Sequence, residues 1–425
     1  MNTTPIPLML FSNATVRAGA EEVVLQLLQG LDRRFFRLHL TCTPELARLF
    51  HADLPSDITV TPLSLDYLSD FRGAYQLARA LKRHHIQILH SHMFRASFFA
   101  SPLARRLKVP VVLDTSHGRE MWRKGLKSFF FVDRFVSRQV DRTIAVSHST
   151  ARYLIEAKGL PASKIHVIHN GVNPQRYSRD PEAAKQLKHL LQVDGDVPLL
   201  LAVGRLESQK GHRILLQAMP TILNRFPKAH LVCLGEGSLR AQLQSEVDAS
   251  GLHRAVTFLG YQPDVPRWLA SADLTILPSL FEGLPMIAIE SLASECPIVA
   301  TAVDGTPEVV LDGITGLLVP PANPDRLAHA VMKILAHPNL ARWMAQNGRD
   351  LILQNFTVET MVGRNQELYL HLWERYSAKT SLDPAPRLVH PSRVPAQAVP
   401  LTVGAAARHS NSTATKALLV RSNDN

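Results

Sequence analysis

The sequence predicts an α/β protein of two domains, each a mostly parallel sheet covered by helices, facing each other across a cleft. Three observations lead there. The chain has 425 residues, too many for one ordinary hydrophobic core. Hydrophobic residues make up 46 % of it, enough for most of the chain to fold as a globule. Short apolar runs alternate with helical periodicity, first before and then again after a turn-rich stretch.

The first series of strands is expected at residues 8–11, 37–42, 86–90, 109–114, 142–147 and 165–169. Helical patterns fall between them near 19–30, 72–83, 95–107, 126–139 and 148–158. LLQVDGDVP, residues 190–198, is rich in turn formers and opens a second unit. Strands then recur at 199–204, 229–235, 255–260, 273–278, 296–301 and 316–320, with helices at 211–225, 237–250, 284–294 and 324–336. Residues 338–376 read as nearly all helical. The expected units are 1–185 and 186–355, then a helix over 356–377 packing back towards the first unit, then a disordered tail over 378–425. Five prolines between 384 and 400 and the lack of an apolar face argue for that tail. In an open parallel sheet, ligands sit at the carboxyl ends of the strands, so the cleft between the units is the expected site.

Charge is uneven. Residues 1–180 hold 25 Lys plus Arg against 14 Asp plus Glu, while the remainder holds 22 of each, so the whole net charge of +11 lies in the first half. Such a half attracts an anionic partner. Cys42, Cys233 and Cys296 form no metal motif and no disulfide framework. Residues 1–10 lack the marks of a signal peptide, and nowhere do 18 apolar residues run together. The expected location is the cytoplasm, with attachment to the inner face of the plasma membrane left open.

Two stretches carry candidate chemistry. In LAVGRLESQKGH, residues 201–212, a strand ends at Gly204 and Gly211 precedes a helix. Arg205 offers a fixed fork of donors and Lys210 a mobile point charge, a pair suited to a diphosphate. Ordinary surface cations are the alternative. The stretch is not a P-loop, because it lacks G-x-x-x-x-G-K-[ST]. In FEGLPMIAIESL, residues 281–292, Glu282 precedes a turn and Glu290 lies inside an apolar helix. Pro285 suits the first helical turn, and free amides from Gly283 to Met286 can meet a phosphate or sugar oxygen. An ionised acid at Glu290 needs donors, and the two hydroxyls of a ribose would serve. A surface acid at Glu290 and a helix-mouth charge at Glu282 are the alternatives.

F-E-G-x-P followed by Glu290 resembles the E-x7-E signature of retaining glycosyltransferases with the GT-B fold of two Rossmann-like domains. More narrowly, GRLESQKG, GEG, DLTILPSLFEGLP, A-x-x-C-P-I-V-A, GTPEVV and DGITGLLVP resemble glycosyltransferase family four in content and order, across roughly residues 8–375. The resemblance implies a hexosyltransferase with an acceptor-binding first domain and a donor-binding second domain. Its donor would be a UDP- or GDP-sugar, with no permanently bound cofactor and no metal. By the same resemblance, Glu290 matches the holder of the ribose hydroxyls, and Arg205 with Lys210 the grip on the diphosphate. Glu282, Gly283 and Leu284 match the group around the transferred sugar. His117 matches a histidine near the reacting sugar, with His90 and His92 shaping the wall or supporting it. Where the family usually has a double glycine this chain has Ala18-Gly19, which leaves Gly19 able to approach the donor phosphate. The implied mechanism is a front-face substitution in which the leaving phosphate takes the acceptor proton. The two-carboxylate scheme of glycosidases does not carry over.

The resemblance also favours synthesis of cell-surface polysaccharide or lipopolysaccharide on a glycan or lipid-linked acceptor. A glycogen- or sucrose-type synthase, or a nucleotide-sugar hydrolase or epimerase, is the alternative on this fold. Residues 119–142 contain seven basic and three acidic residues among aromatics, and Arg123, Lys124 and Lys127 could rest on an anionic membrane. A solvated basic face is the plain alternative. No helix-turn-helix, zinc finger or RNA-binding aromatic motif is present, so a nucleic-acid partner is not expected.

Overall fold

The computed structural model describes residues 4–65, 70–118 and 130–380. The first sheet has strands β1 (Ile6–Ser12), β2 (Phe36–Cys42), β3 (Thr59–Pro62), β4 (Ile88–His92), β5 (Val111–Ser116), β6 (Arg142–Ala145) and β7 (Ile165–Val167). Its helices are α1 (Gly19–Gly30), α2 (Pro44–Phe50), α3 (Phe71–Arg83), α4 (Phe94–Arg106), α5 (Phe130–Gln139) and α6 (His148–Arg152). The order is β3-β2-β1-β4-β5-β6-β7, and every pairing is parallel. Helix α7 (Pro181–Leu190) leads to the second sheet. That sheet has strands β8 (Leu199–Val203), β9 (His230–Leu234), β10 (Val256–Gly260), β11 (Leu274–Leu277), β12 (Ile298–Thr301) and β13 (Leu317–Val319). Helices α8 (His212–Arg225), α9 (Arg240–Ala249), α10 (Val265–Ser271), α11 (Met286–Ala293) and α12 (Pro324–Ala336) accompany it. Its order, β10-β9-β8-β11-β12-β13, repeats the winding of the first, again all parallel. Helices α13 (Pro338–Asn355) and α14 (Val358–Thr380) end the described chain.

In each sheet the chain winds outward from a central strand and then returns to that strand's other side. The reversal opens a crevice at the carboxyl ends of β1 and β4 in one sheet and of β8 and β11 in the other, the usual ligand position in doubly wound sheets. The central strands β1, β8 and β11 are largely apolar because both of their faces are covered. In β8, Leu200 and Ala202 enter the core beneath α8 and α12, while Leu199 and Leu201 enter the opposite core with α11.

Both sheets and their helices form one compact unit, rather than two separated bodies. The chain passes between the sheets twice. Val172 N donates to Phe356 O at 2.9 Å, and Val358 N donates to Val172 O at 2.9 Å, so the two connections pair with each other. Helix α14 then lies against α1 and reaches β5. Tyr369 is fully buried, its ring edge-on to Phe36 with centroids 5.9 Å apart.

Some expectations change in detail. The helix expected over 148–158 is a short α-helix that widens into a π-helical turn over Tyr153–Ala157. Pro285 is the N-cap of α11, not part of its first turn. The early part of the 126–139 helix, Arg123, Lys124, Lys127 and the tail beyond 380 lie outside the described residues. Among the described residues no helix is long and apolar enough to cross a membrane. The three cysteines are buried free thiols.

Candidate active site

Loops after β1, β5, β8 and β11 meet at the crevice. After β8 the chain makes a single 3-10 turn at Ser208–Lys210 and enters α8 through Gly211 at φ +65°. A Cβ on Gly211 would lie 2.0 Å from Pro278 O, so only glycine lets this loop lie against the end of β11. That approach brings Lys210 to Glu282. Their side chains pair at 2.6 Å and are 17 % and 6 % exposed, so water screens them little. Ser279 Oγ donates to the same Glu282 oxygen at 2.7 Å, and the Glu282 amide donates to Asp304 at 3.0 Å. Gln209 donates to Phe281 O at 3.0 Å and accepts from Arg205 at 3.2 Å. Two residues assigned from sequence to different parts of a donor, Lys210 and Glu282, are therefore in direct contact. Arg205 stands exposed at their edge.

Leu284 points into the core of the second sheet, so only its backbone can serve the site. Glu290 is half-buried on α11 and accepts a hydrogen bond from Tyr177. Burial first, and then the field of Glu22 on α1, push its carboxyl up to about 7. Glu22 is held in turn by Arg17, which also pairs with Asp53 at 2.5 Å. Arg17 is thus committed to carboxylates. The neighbouring Glu21 accepts from the Ala18 amide at 3.2 Å, half of a capping box because alanine has no side-chain acceptor, and burial pushes that carboxyl up to about 7 as well. Gly19 meets the second sheet here, since a Cβ on it would lie 3.3 Å from the Met286 side chain.

The first sheet supplies the facing wall. His117 and Gly118 follow β5, and a Cβ on Gly118 would lie 2.8 Å from Gly283 Cα. The two loops touch backbone to backbone. Ser147 Oγ donates to Gly283 O at 2.9 Å while also capping α6. A cavity of about 470 Å³ opens beside this contact, lined by Asn13, Glu21, Asp114, His117, Arg205 and Gln209 among others. Burial lowers the His117 imidazole to about 4, so the ring is neutral at pH 7.

Glu308, in GTPEVV, was not anticipated. Its carboxylate accepts from the His148 and Ser149 amides at 2.8 Å each and meets His169 Nε2 at 2.9 Å. It thereby joins the loop after β12 to two segments of the first sheet. Burial opposes its ionisation, but these hydrogen bonds outweigh that and keep its pKa low. His148, His169 and Glu308 are also the one group of potential metal ligands within mutual reach among the described residues, but both carboxylate oxygens are already engaged. Tyr177, Ser147 and Glu308 act through contacts between segments distant in sequence, which local pattern does not reveal.

Two facing doubly wound sheets with a cation pair and two glutamates at the second sheet's strand ends define a GT-B glycosyltransferase. Residues 17–176 match the model described as Glycosyltransferase Family 4, and residues 185–351 match the one described as Glycosyl transferases group 1. Together these take in well over half of the chain, which belongs to the family-four glycosyltransferases. One similar protein is the UDP-Gal:alpha-D-GlcNAc-diphosphoundecaprenol alpha-1,3-galactosyltransferase of Escherichia coli, 23 % identical over 84 % of this chain and 94 % of that one. Another is the GDP-mannose-dependent alpha-(1-6)-phosphatidylinositol monomannoside mannosyltransferase of Mycolicibacterium smegmatis, 29 % identical over 69 % of this chain and 79 % of that one. The crystal structure of Anabaena HepE in complex with UDP and glucose shares the fold, with TM-score 0.76 and 20 % identity over 85 % of this chain and 98 % of that one.

Proposed function

We propose that this hexosyltransferase moves its sugar from a UDP- or GDP-sugar to a lipid-linked or glycan acceptor, with retention of anomeric configuration and without a metal. The Lys210–Glu282 pair beside Arg205 carries this reading. A diphosphate entering the loop after β8 meets Lys210 and Arg205, and the sugar that follows it meets Glu282. As the anomeric bond breaks, negative charge grows on the phosphate and both cations stabilise it. Glu282 is tied to Lys210 and Ser279 on one oxygen, so its part is to hold sugar hydroxyls rather than to attack carbon. A front-face substitution follows, with the acceptor proton passing to the leaving phosphate. Glu290 and Tyr177 receive the ribose. Incubation with UDP- and GDP-sugars and lipid-diphosphate acceptors, followed by NMR of the product linkage, tests the reading. The expected product keeps the donor's configuration and forms equally well in excess EDTA. An inverted linkage, or free sugar alone, would overturn it.

The acceptor class rests on the two similar enzymes, whose names both specify lipid acceptors, and on one surface. Helices α3 and α5 flank α4. They expose Phe71 and Tyr75 beside Arg72 and Arg79, and Phe131 and Phe135 beside Arg134 and Arg138. Aromatics among arginines suit an anionic membrane. Arg134→Glu with Arg138→Glu is expected to lower co-sedimentation with anionic vesicles, at roughly fivefold per basic group. Neutral vesicles should bind both proteins weakly. Equal binding of the variant and the parent protein to anionic vesicles would remove the membrane from the proposal.

A further inference from the structure

Behind His117 a line of side chains runs from the cleft to the last helix. His117 Nε2 lies 3.3 Å from His92 Nδ1. The His92 ring stacks on His90, with centroids 4.3 Å apart and planes inclined by 36°. Both nitrogens of His90 are held, Nδ1 by the Tyr369 hydroxyl and Nε2 by Thr115 Oγ1, each at 2.6 Å. His90 therefore cannot turn, and it fixes the plane of His92. Tyr369 comes from α14, so the last helix of the chain anchors the line.

We infer that His92 is a positioning residue which sets the tautomer of His117, so that His117 presents an Nδ1–H donor to the transferred sugar and cannot act as a base there. A neutral imidazole has one N–H. The short space between His92 Nδ1 and His117 Nε2 holds one proton, and two arrangements are possible. If His117 Nε2 carried it, the proton of His92 would sit on Nε2. That nitrogen is buried without a partner. The void beside it, about 10 Å³, is at the lower bound for one water molecule. Orphaned buried N–H groups are rarer than under-satisfied acceptors. The favoured arrangement places the proton on His92 Nδ1, which donates to His117 Nε2 and leaves the proton of His117 on Nδ1. Burial keeps all three rings neutral, as this arrangement requires.

This inference rests on the sugar-transfer reading for its role, but the tautomer itself does not. Long-range proton–nitrogen NMR of the histidine-labelled full chain, with the His117 signals assigned by their loss in His117→Gln, reads the tautomer directly. The Nδ1–H form is expected, and the Nε2–H form would overturn the inference. In the transfer assay, His92→Leu should lower kcat about tenfold or more with the donor KM little changed, because one oriented donor is lost. His92→Asn, whose amide can donate from near the Nδ1 position, should recover most of that loss. An unchanged kcat in His92→Leu, or no recovery in His92→Asn, would leave His92 as packing alone. If the protein transferred no sugar at all, the proposed function would fail while the NMR result stood.

Discussion

Lys210→Ala is expected to lower the transfer rate at saturating donor by on the order of 100-fold, about 3 kcal/mol of transition-state stabilisation, while binding of the bare nucleoside changes little. In the proposed reading Lys210 reaches both ends of the bond that breaks. Its ammonium lies against Glu282 in a site where both side chains are largely covered. Removing it takes positive charge from the leaving diphosphate and leaves Glu282 held by Ser279 alone on that oxygen. Arg205→Ala should act in the same direction with a smaller effect, since Arg205 is exposed and its side-chain hydrogen bond runs to Gln209. Steady-state kinetics with calorimetry of nucleoside and nucleotide separate the two effects. An unchanged turnover in Lys210→Ala would remove the diphosphate assignment.

The second large effect is expected at Glu290 and depends on pH. Its carboxyl is raised to about 7, chiefly by burial, so about half of the molecules carry the proton near neutrality. Ribose hydroxyls donate hydrogen bonds, so the ionised form is the better receiver. Donor affinity should then be constant above pH 8 and fall by up to about tenfold per unit below 7. Glu290→Gln should abolish that slope and bind about as weakly as the wild type does in acid. A sugar nucleotide should be used, because its esterified diphosphate has no proton to lose in this range. The same raised pKa has a consequence for folding. Glu290 binds more protons folded than unfolded between its ordinary value of 4.5 and 7, so its contribution to stability declines as pH rises through that window. A pH-independent donor affinity in the wild type would show that Glu290 does not meet the ribose.

The doubly wound architecture was readable because parallel strands buried on both faces leave unbroken apolar runs such as LLLAV in β8. Strand β3, TVTP, escaped because it is a four-residue edge strand with no buried residue. Helices α2, α7 and α10 are short, and each carries a proline in its first turn rather than a long apolar stripe. At the candidate site, Arg205, Lys210, Glu282 and Glu290 stood out through the family resemblance of the two stretches that carry them, since spacing alone left surface charges as the alternative. Their partners did not. Tyr177 reaches Glu290, Ser147 reaches Gly283 and Glu308 reaches the start of α6 only once both sheets have formed. The pairing of Lys210 with Glu282 spans 72 residues and depends on the close approach at Gly211.

The paired crossing at Val172 and Val358 has a consequence for how the protein is made. Residues of the first sheet leave the ribosome first, yet their core lacks Tyr369 until α14 follows, and His90 waits for a partner 279 positions downstream. The second sheet, uninterrupted in sequence, can finish first. The earlier-synthesised half is therefore the later-completed one, and during translation its histidine line stands open to solvent. A stop codon anywhere between α13 and Tyr369 would spare every residue proposed to hold the donor while leaving the opposite wall unfinished.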